Sequence, residues 1–295
     1  MNFFGEIVLP IVLFLIMVGI GLSTKVQDFK SLFKFPKAAI LGVLSQLILL
    51  PLIALMIGWF FNFNKEITLG LLVLSLCPSG TGSNIITKMV HGNLALSVSL
   101  TTVSNFKSLF TFPLILNLYL EEMGSISAVV QLNYLDIIIQ IFSLTIIPTI
   151  IGLFIGEKNP HLVVKSKKTL KWLLPGLLFG VFTAIMFFDE PKNKDVDITD
   201  MIFPAFLINI ISMIVSLTFV KIFKVENKQA IAVSIESGLK NSAIGLMIAT
   251  TCIGVDAVQL LILAYSFISF YLTLMISLFL NKFILIPDKK SPHSF

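Results

Sequence analysis

Apolar residues occur along this chain in stretches of about 20, a length that crosses a hydrocarbon core of about 30 Å as helix. Read with their breakers, they predict nine transmembrane helices at about 4–23, 38–60, 67–89, 94–118, 133–155, 172–188, 201–220, 229–252 and 257–281. The first, from about Val8 to Leu22, has no positive region before it and no small-residue cleavage site after it, so it reads as a retained span. The longest connections, Gly156–Lys171 and Asp189–Asp200, are too short to hold a core of their own. The expected fold is an all-α polytopic membrane domain covering 1–295.

Composition agrees with that pattern. Hydrophobic residues make up 56% of the 295 residues and charged ones 13%, where soluble domains carry about a quarter charged. The mean hydropathy is +0.98. All 21 basic residues are lysines, and an odd number of spans puts the termini on opposite sides. A cytoplasmic C-terminus places 16 lysines inside and only Lys65, Lys192 and Lys194 outside. The positive-inside rule therefore favours an external N-terminus in a cell membrane, the inner one in a bacterium. The net charge of +5 then belongs to a membrane face turned toward anionic lipid, with no nucleic-acid partner and no obligate protein partner evident.

Two spans carry polar interruptions. The third runs apolar into Cys77-Pro78-Ser79-Gly80-Thr81-Gly82-Ser83-Asn84 and resumes at Ile85. Pro78 removes an amide donor, and Gly80 and Gly82 tolerate unwound backbone. The eighth is interrupted by Ser234-Ile235-Glu236-Ser237-Gly238-Leu239-Lys240-Asn241-Ser242. A pair of broken segments in corresponding halves points to a transporter built from inverted repeats, here about 1–120 and about 130–285, whose broken helices hold ions and substrate near the midplane. Kinked helices packed through small residues are the plainer alternative.

The fourth span adds Ser97, Thr101, Ser104 and Ser108 at intervals of three and four, which places them on one helical face. Such hydroxyls, with Asn84 and the Glu236 carboxylate, can supply hard oxygen ligands to a small cation, or can bond back to their own helix. Glu236, Lys107 and Lys240 are ionisable groups inside predicted spans, where each costs at least about 2.5 kcal/mol and usually marks function. Cys77 and Cys252 lie in apolar segments without metal spacing and read as buried free thiols. No HExxH or triad-like arrangement involves His91, His161 or His293, so the chain is not expected to be an enzyme.

The ordered set Gly19-Ile20-Gly21-Leu22, Asp28-Phe29, Gln46 ahead of Pro51, Cys77–Asn84, Gly92–Val98 and Glu236–Ser242 resembles the bile acid:sodium symporter family over essentially the whole chain. The resemblance implies a core domain and a panel domain, with two broken helices crossing in the core beside two sodium sites. It also implies that a first helix of ten-helix members is lacking here, which fits nine spans. Carried over by position, the first sodium site is Ser83, Asn84, Ser97, Thr101 and Glu236. The second takes Gln46, Glu236 and the carbonyls of Ser237 and Leu239. Its remaining family ligand is a glutamine, and Lys240 stands there instead. A protonated lysine has three donors and no acceptor, so it cannot coordinate sodium.

The expected function is sodium-coupled symport of a small organic anion, with one sodium because Lys240 replaces a ligand. Lys240, Asn241 and Lys107 are candidates for ion substitution or substrate contact, and Lys240 is expected as a tethered cation beside Glu236. A polar pair of the family's last helix is missing at Ser266–Tyr271, which argues against bile acid itself. Proton-coupled or sodium-independent anion carriage stays open, as does efflux of a small solute such as arsenite with Cys77 taking part.

Overall fold

The structure is a computed structural model that describes residues 3–23, 31–122, 134–188 and 197–284. Asp28-Phe29 and the acidic connection at Asp189 and Glu190 lie outside the described residues. Among the described residues every regular element is helical, as a chain surrounded by lipid requires when each backbone group must be bonded within its own segment.

Helix α1 (Leu9–Ser23) is entered through a π turn at Phe4–Val8. Helices α2 (Pro36–Leu44) and α3 (Leu50–Phe60) are joined by a π turn at Ser45–Leu49. Helix α4 (Lys65–Leu76), capped by the Asn64 side chain, is separated by a break from α5 (Gly82–Met89). Helix α6 (Leu94–Glu122) follows. Helices α7 (Tyr134–Ile141) and α8 (Ile147–Lys158) are joined by a π turn at Phe142–Ile146. Then come α9 (Pro160–Phe188) and α10 (Ile198–Ile222). After them α11 (Asn227–Gly238) and α12 (Ser242–Ile248) form the second broken segment, which ends in a π turn at Ala249–Ile253. Helix α13 (Asp256–Ile284) is the last. Three of the π turns end two residues before a proline, at Pro10, Pro51 and Pro148, where the wider turn accommodates a ring that lacks an amide donor.

The chain is an all-α polytopic membrane protein. Among the described residues, five helical stretches are long and apolar enough to cross a membrane: Phe4–Leu22, Pro36–Phe60, Ile138–Lys158, Ile198–Ile222 and Asp256–Lys282. The shorter apolar stretches Phe110–Glu121, Gly176–Phe188 and Ser242–Ile253 lie in other predicted segments. One boundary differs from expectation, because Gly156–Lys171 is no loop. Helix α8 continues to Lys158 and α9 begins at Pro160. Lysine ends a hydropathy window but is a good helix former, so the helix outlasts its apolar part.

Helix α1 packs most extensively on α8 and also meets α9. Its contact with α8 is backbone against backbone. A Cβ on Gly21 would stand 2.1 Å from the Thr149 carbonyl oxygen, and one on Gly152 would stand 2.1 Å from that of Val18. Small residues thus let two lipid-embedded helices approach until dispersion forces hold them. In the remaining helices, α10 lies against α13 and α11, and α3 against α4. The two groups touch where Thr250 Oγ1, after α12, donates to the Gly5 carbonyl ahead of α1 at 3.3 Å. Helix α7, which continues through its π turn into α8, meets the same segment where Gln140 Oε1 accepts from Thr251 Oγ1 at 2.8 Å and from Cys252 Sγ at 3.0 Å. Large apolar side chains such as Trp59, Phe110, Phe187, Tyr271 and Met275 are exposed, a surface suited to lipid.

The glycine contact predicts that Gly152→Ala lowers the midpoint of thermal unfolding in detergent, at a cost of about 1–3 kcal/mol, because a carbonyl cannot step aside as a side chain can. An unchanged midpoint would show that the two backbones do not meet there.

Candidate functional site

The two breaks pair with each other. Cys77 and Leu239 leave the helical conformation at the ends of α4 and α11, and the strands that follow run antiparallel, with Ser79 opposite Lys240. Gly80 N donates to Leu239 O at 2.9 Å and Asn241 N donates to Pro78 O at 2.8 Å. Pro78 thus ends a helix by lacking a donor and serves the crossing as an acceptor. Glycine at 80 has a steric reason, since a Cβ would lie 3.2 Å from Lys240 O.

Side chains from neighbouring helices bond what the breaks leave open. Tyr265 Oη donates to Gly238 O and accepts from Lys240 N at 2.9 Å. Asn209 Nδ2 donates to the same Gly238 carbonyl at 2.8 Å. Ser79 N donates to Ser104 Oγ at 3.1 Å, and Ser79 Oγ to Glu236 O at 2.9 Å. In a dry interior each of these groups would otherwise cost about 1–3 kcal/mol.

The breaks are shorter than the sequence suggested. Helix α5 resumes at Gly82, so Ser83 and Asn84 sit in its first turn, with Ser83 Oγ 2.7 Å from Gly80 O. Helix α11 runs through Glu236 to Gly238, leaving only Leu239–Asn241 extended. The predicted members of the first site come together around Glu236, which is fully buried. Ser83 Oγ and Ser97 Oγ each lie 2.5 Å from Glu236 Oε1. Thr101 Oγ1 lies 3.1 Å from Oε1 and 2.9 Å from Oε2. Asn84 closes the ring, its Oδ1 2.8 Å from Ser97 Oγ and its Nδ2 3.3 Å from Thr101 Oγ1.

This cluster is rich in oxygen and poor in protons. Ser83, Ser97 and Thr101 each face two or three acceptors but own one hydrogen each. A hard cation would satisfy the lone pairs left over, so the donor set fits sodium. Ser104 and Ser108 do not join the cage. Ser104 meets Ser79, while Ser108 bonds back to Asn105 O.

Among the candidates for the second site, the Leu239 carbonyl has a protein donor, while Gln46 and Ser237 make bonds through atoms other than the carbonyl oxygens expected as ligands. Gln46 Nε2 donates to Ser79 Oγ at 3.2 Å, Leu239 O accepts from Gly80, and Ser237 Oγ lies 3.2 Å from Ser45 Oγ. The Asn241 side chain caps α12 at Ile244 N. Contact between Lys240 and Glu236 is not made, for the Lys240 ammonium is buried without a hydrogen-bond partner. In a continuous helix a spacing of four would stack the pair on one face. The break falls between them, leaving Glu236 on the helix and Lys240 on extended backbone. Sequence reasoning passed over Asn209 and Tyr265, polar groups within apolar spans whose purpose appears only when the breaks meet.

Residues 10–190 match the profile of the Sodium Bile acid symporter family. The uncharacterized sodium-dependent transporter YocS of Bacillus subtilis is 28% identical over 243 residues, covering 82% of this chain and 73% of that protein. The probable sodium/metabolite cotransporter BASS1, chloroplastic, of Arabidopsis thaliana is 24% identical over 81% of this chain and 58% of its own length. The ileal sodium/bile acid cotransporter of Homo sapiens is 33% identical over 61% of this chain, which spans half of that relative, 50%. The profile match covers more than half of the chain, and with a buried oxygen cage beside two crossed helix breaks it leads to one conclusion: this protein belongs to the Sodium Bile acid symporter family, a family of transporters and not of enzymes.

Proposed function

We propose that this protein is a symporter coupling one sodium ion to a small organic anion by alternating access. The observation that carries the reading is the surplus of acceptors around Glu236, where Ser83, Asn84, Ser97 and Thr101 offer a cation a buried, mostly preformed shell. The single-ion reading is supported at the second site by Lys240, which has no acceptor to give, and by the Leu239 carbonyl, which already accepts from Gly80. A small acid suits a crossing enclosed by helices better than a bile acid does.

Helices α1, α8 and α9 form the panel in this reading, and the helices around the crossing form the core. The two inverted repeats fall at about 1–120 and about 130–285. The external N-terminus and cytoplasmic C-terminus in a cell membrane, the inner one in a bacterium, rest on the lysine asymmetry.

Counterflow of labelled organic acids in proteoliposomes, with and without sodium, tests the function. Uptake that ignores sodium and follows a pH gradient would transfer the coupling to protons. Glu236→Gln is expected to weaken sodium-dependent uptake by at least about tenfold, about 1.4 kcal/mol, in protein that still inserts. Wild-type sodium dependence in that variant would remove the cage from the mechanism. Sodium activation of wild type should show a Hill coefficient near one, rising toward two in Lys240→Gln as the glutamine ligand returns. Cooperative binding of two ions to wild type would refute the single-ion stoichiometry. For orientation, cysteines at Ser125 and Asn193, both outside the described residues, should react with an impermeant reagent from outside, and one at Ser166 should not. Equal external labelling at Ser166 and Asn193 would reject this topology.

A further inference from the structure

We infer that Lys107 and Lys240 form the anion-recognition end of the transport site, holding one carboxylate of the substrate between their two ammonium groups. The inference rests on the symport reading above and names the residues that receive the anion. Lys240 is 6% exposed, and its ammonium makes no hydrogen bond. A buried charge without a partner costs several kcal/mol and persists where function requires it. Its backbone is fixed from two sides, by the pairing with Ser79 and by Tyr265 on its amide.

Lys107 reaches the same place from another helix. Ser79, opposite Lys240, is bonded to Ser104 of α6. Lys107 lies three residues further on that helix, about 4.5 Å along the axis on the same face. It is half-buried and within electrostatic range of Lys240. The carboxylate nearest in the sequence, Glu236, is taken up by Ser83, Ser97 and Thr101. Glu236 and the Cys77 thiol also lie within electrostatic range of Lys240, though neither hydrogen-bonds its ammonium.

One face of α6 therefore presents the cation cage at Ser97 and Thr101, the bridge to the crossing at Ser104, and an ammonium at Lys107. Two like charges in a low-dielectric interior repel, and a carboxylate shared between them removes the repulsion and supplies the missing acceptor. A sodium ion held at Thr101 and Ser97, six to ten residues or about 9–15 Å along α6 from Lys107, would attract the same carboxylate. Each ligand then strengthens the binding of the other by the same factor.

The test is a thermal-shift titration of purified protein in detergent. The probes are acetate through hexanoate, with their 2-hydroxy and 2-oxo forms, and the matching primary amides as neutral controls. In wild type with sodium, at least one carboxylate should raise the midpoint while its amide does not. Lys107→Met and Lys240→Met should each weaken that carboxylate by at least about tenfold, as loss of one member of a buried charge contact does. Both should keep the shift produced by sodium alone, which also reports that they fold. Lys107→Arg should retain carboxylate binding. If Lys240→Met does not fold, the pair Lys107→Met and Lys107→Arg decides the matter alone. The inference is overturned if both methionine variants bind carboxylate as wild type does, if amides shift it equally, or if no carboxylate shifts wild type. Loss of the sodium shift in Glu236→Gln would concern the cage and leave this outcome separate.

Discussion

The structure depends on satisfying the backbone of two helices that unwind where water is scarce. Each break frees amides and carbonyls that lipid cannot bond, and the solution is to let each break serve the other. Gly80 to Leu239 and Asn241 to Pro78 close that exchange. Neither segment is stable in this form alone, so the location of the site and the location of the crossing are one fact. The oxygen cage and the two lysines are arranged around it, with Glu236 and Lys240 beside Ser79 and Lys107 three residues beyond Ser104 on α6.

Charge is partitioned by the same break. Had α11 continued without interruption, Glu236 and Lys240 would stack as an ion pair and neutralise each other. The extended backbone at Leu239–Asn241 prevents this, leaving a carboxylate among hydroxyls and an ammonium without a partner. A buried pair complete within the protein has no need of ligands. A separated pair leaves one half able to take a cation and the other an anion, which is the basis of the symport proposed above.

Much of this could be read from the sequence, and the reasons differ by residue. Pro78, Gly80 and Gly82 signal unwinding through their own covalent structure, and the spacing of Ser97 and Thr101 fixes a shared helical face whatever surrounds it. The glycine contact between α1 and α8 was less accessible, because Gly21 and Gly152 gain meaning only through the helix each one meets. Asn209 and Tyr265 carry no signal of their own in the sequence, since the carbonyl they both serve is exposed only by a break elsewhere in the chain. The extent of helix was misjudged at Gly156–Lys171 because hydropathy measures solvent preference and not backbone conformation.

The Gly238 carbonyl, which receives both Tyr265 and Asn209, ties the crossing to α13 and α10 as well as to itself. A joint fastened at so many points cannot open like a pair of scissors. Under the proposed alternating-access reading, the crossed segments travel as a single rigid platform, and access from one side or the other comes from sliding the surrounding walls past it. The low-friction surfaces for such sliding are those where helices meet through exchangeable side-chain bonds, as Gln140 does with Thr251 and Cys252, and not through interlocked backbone.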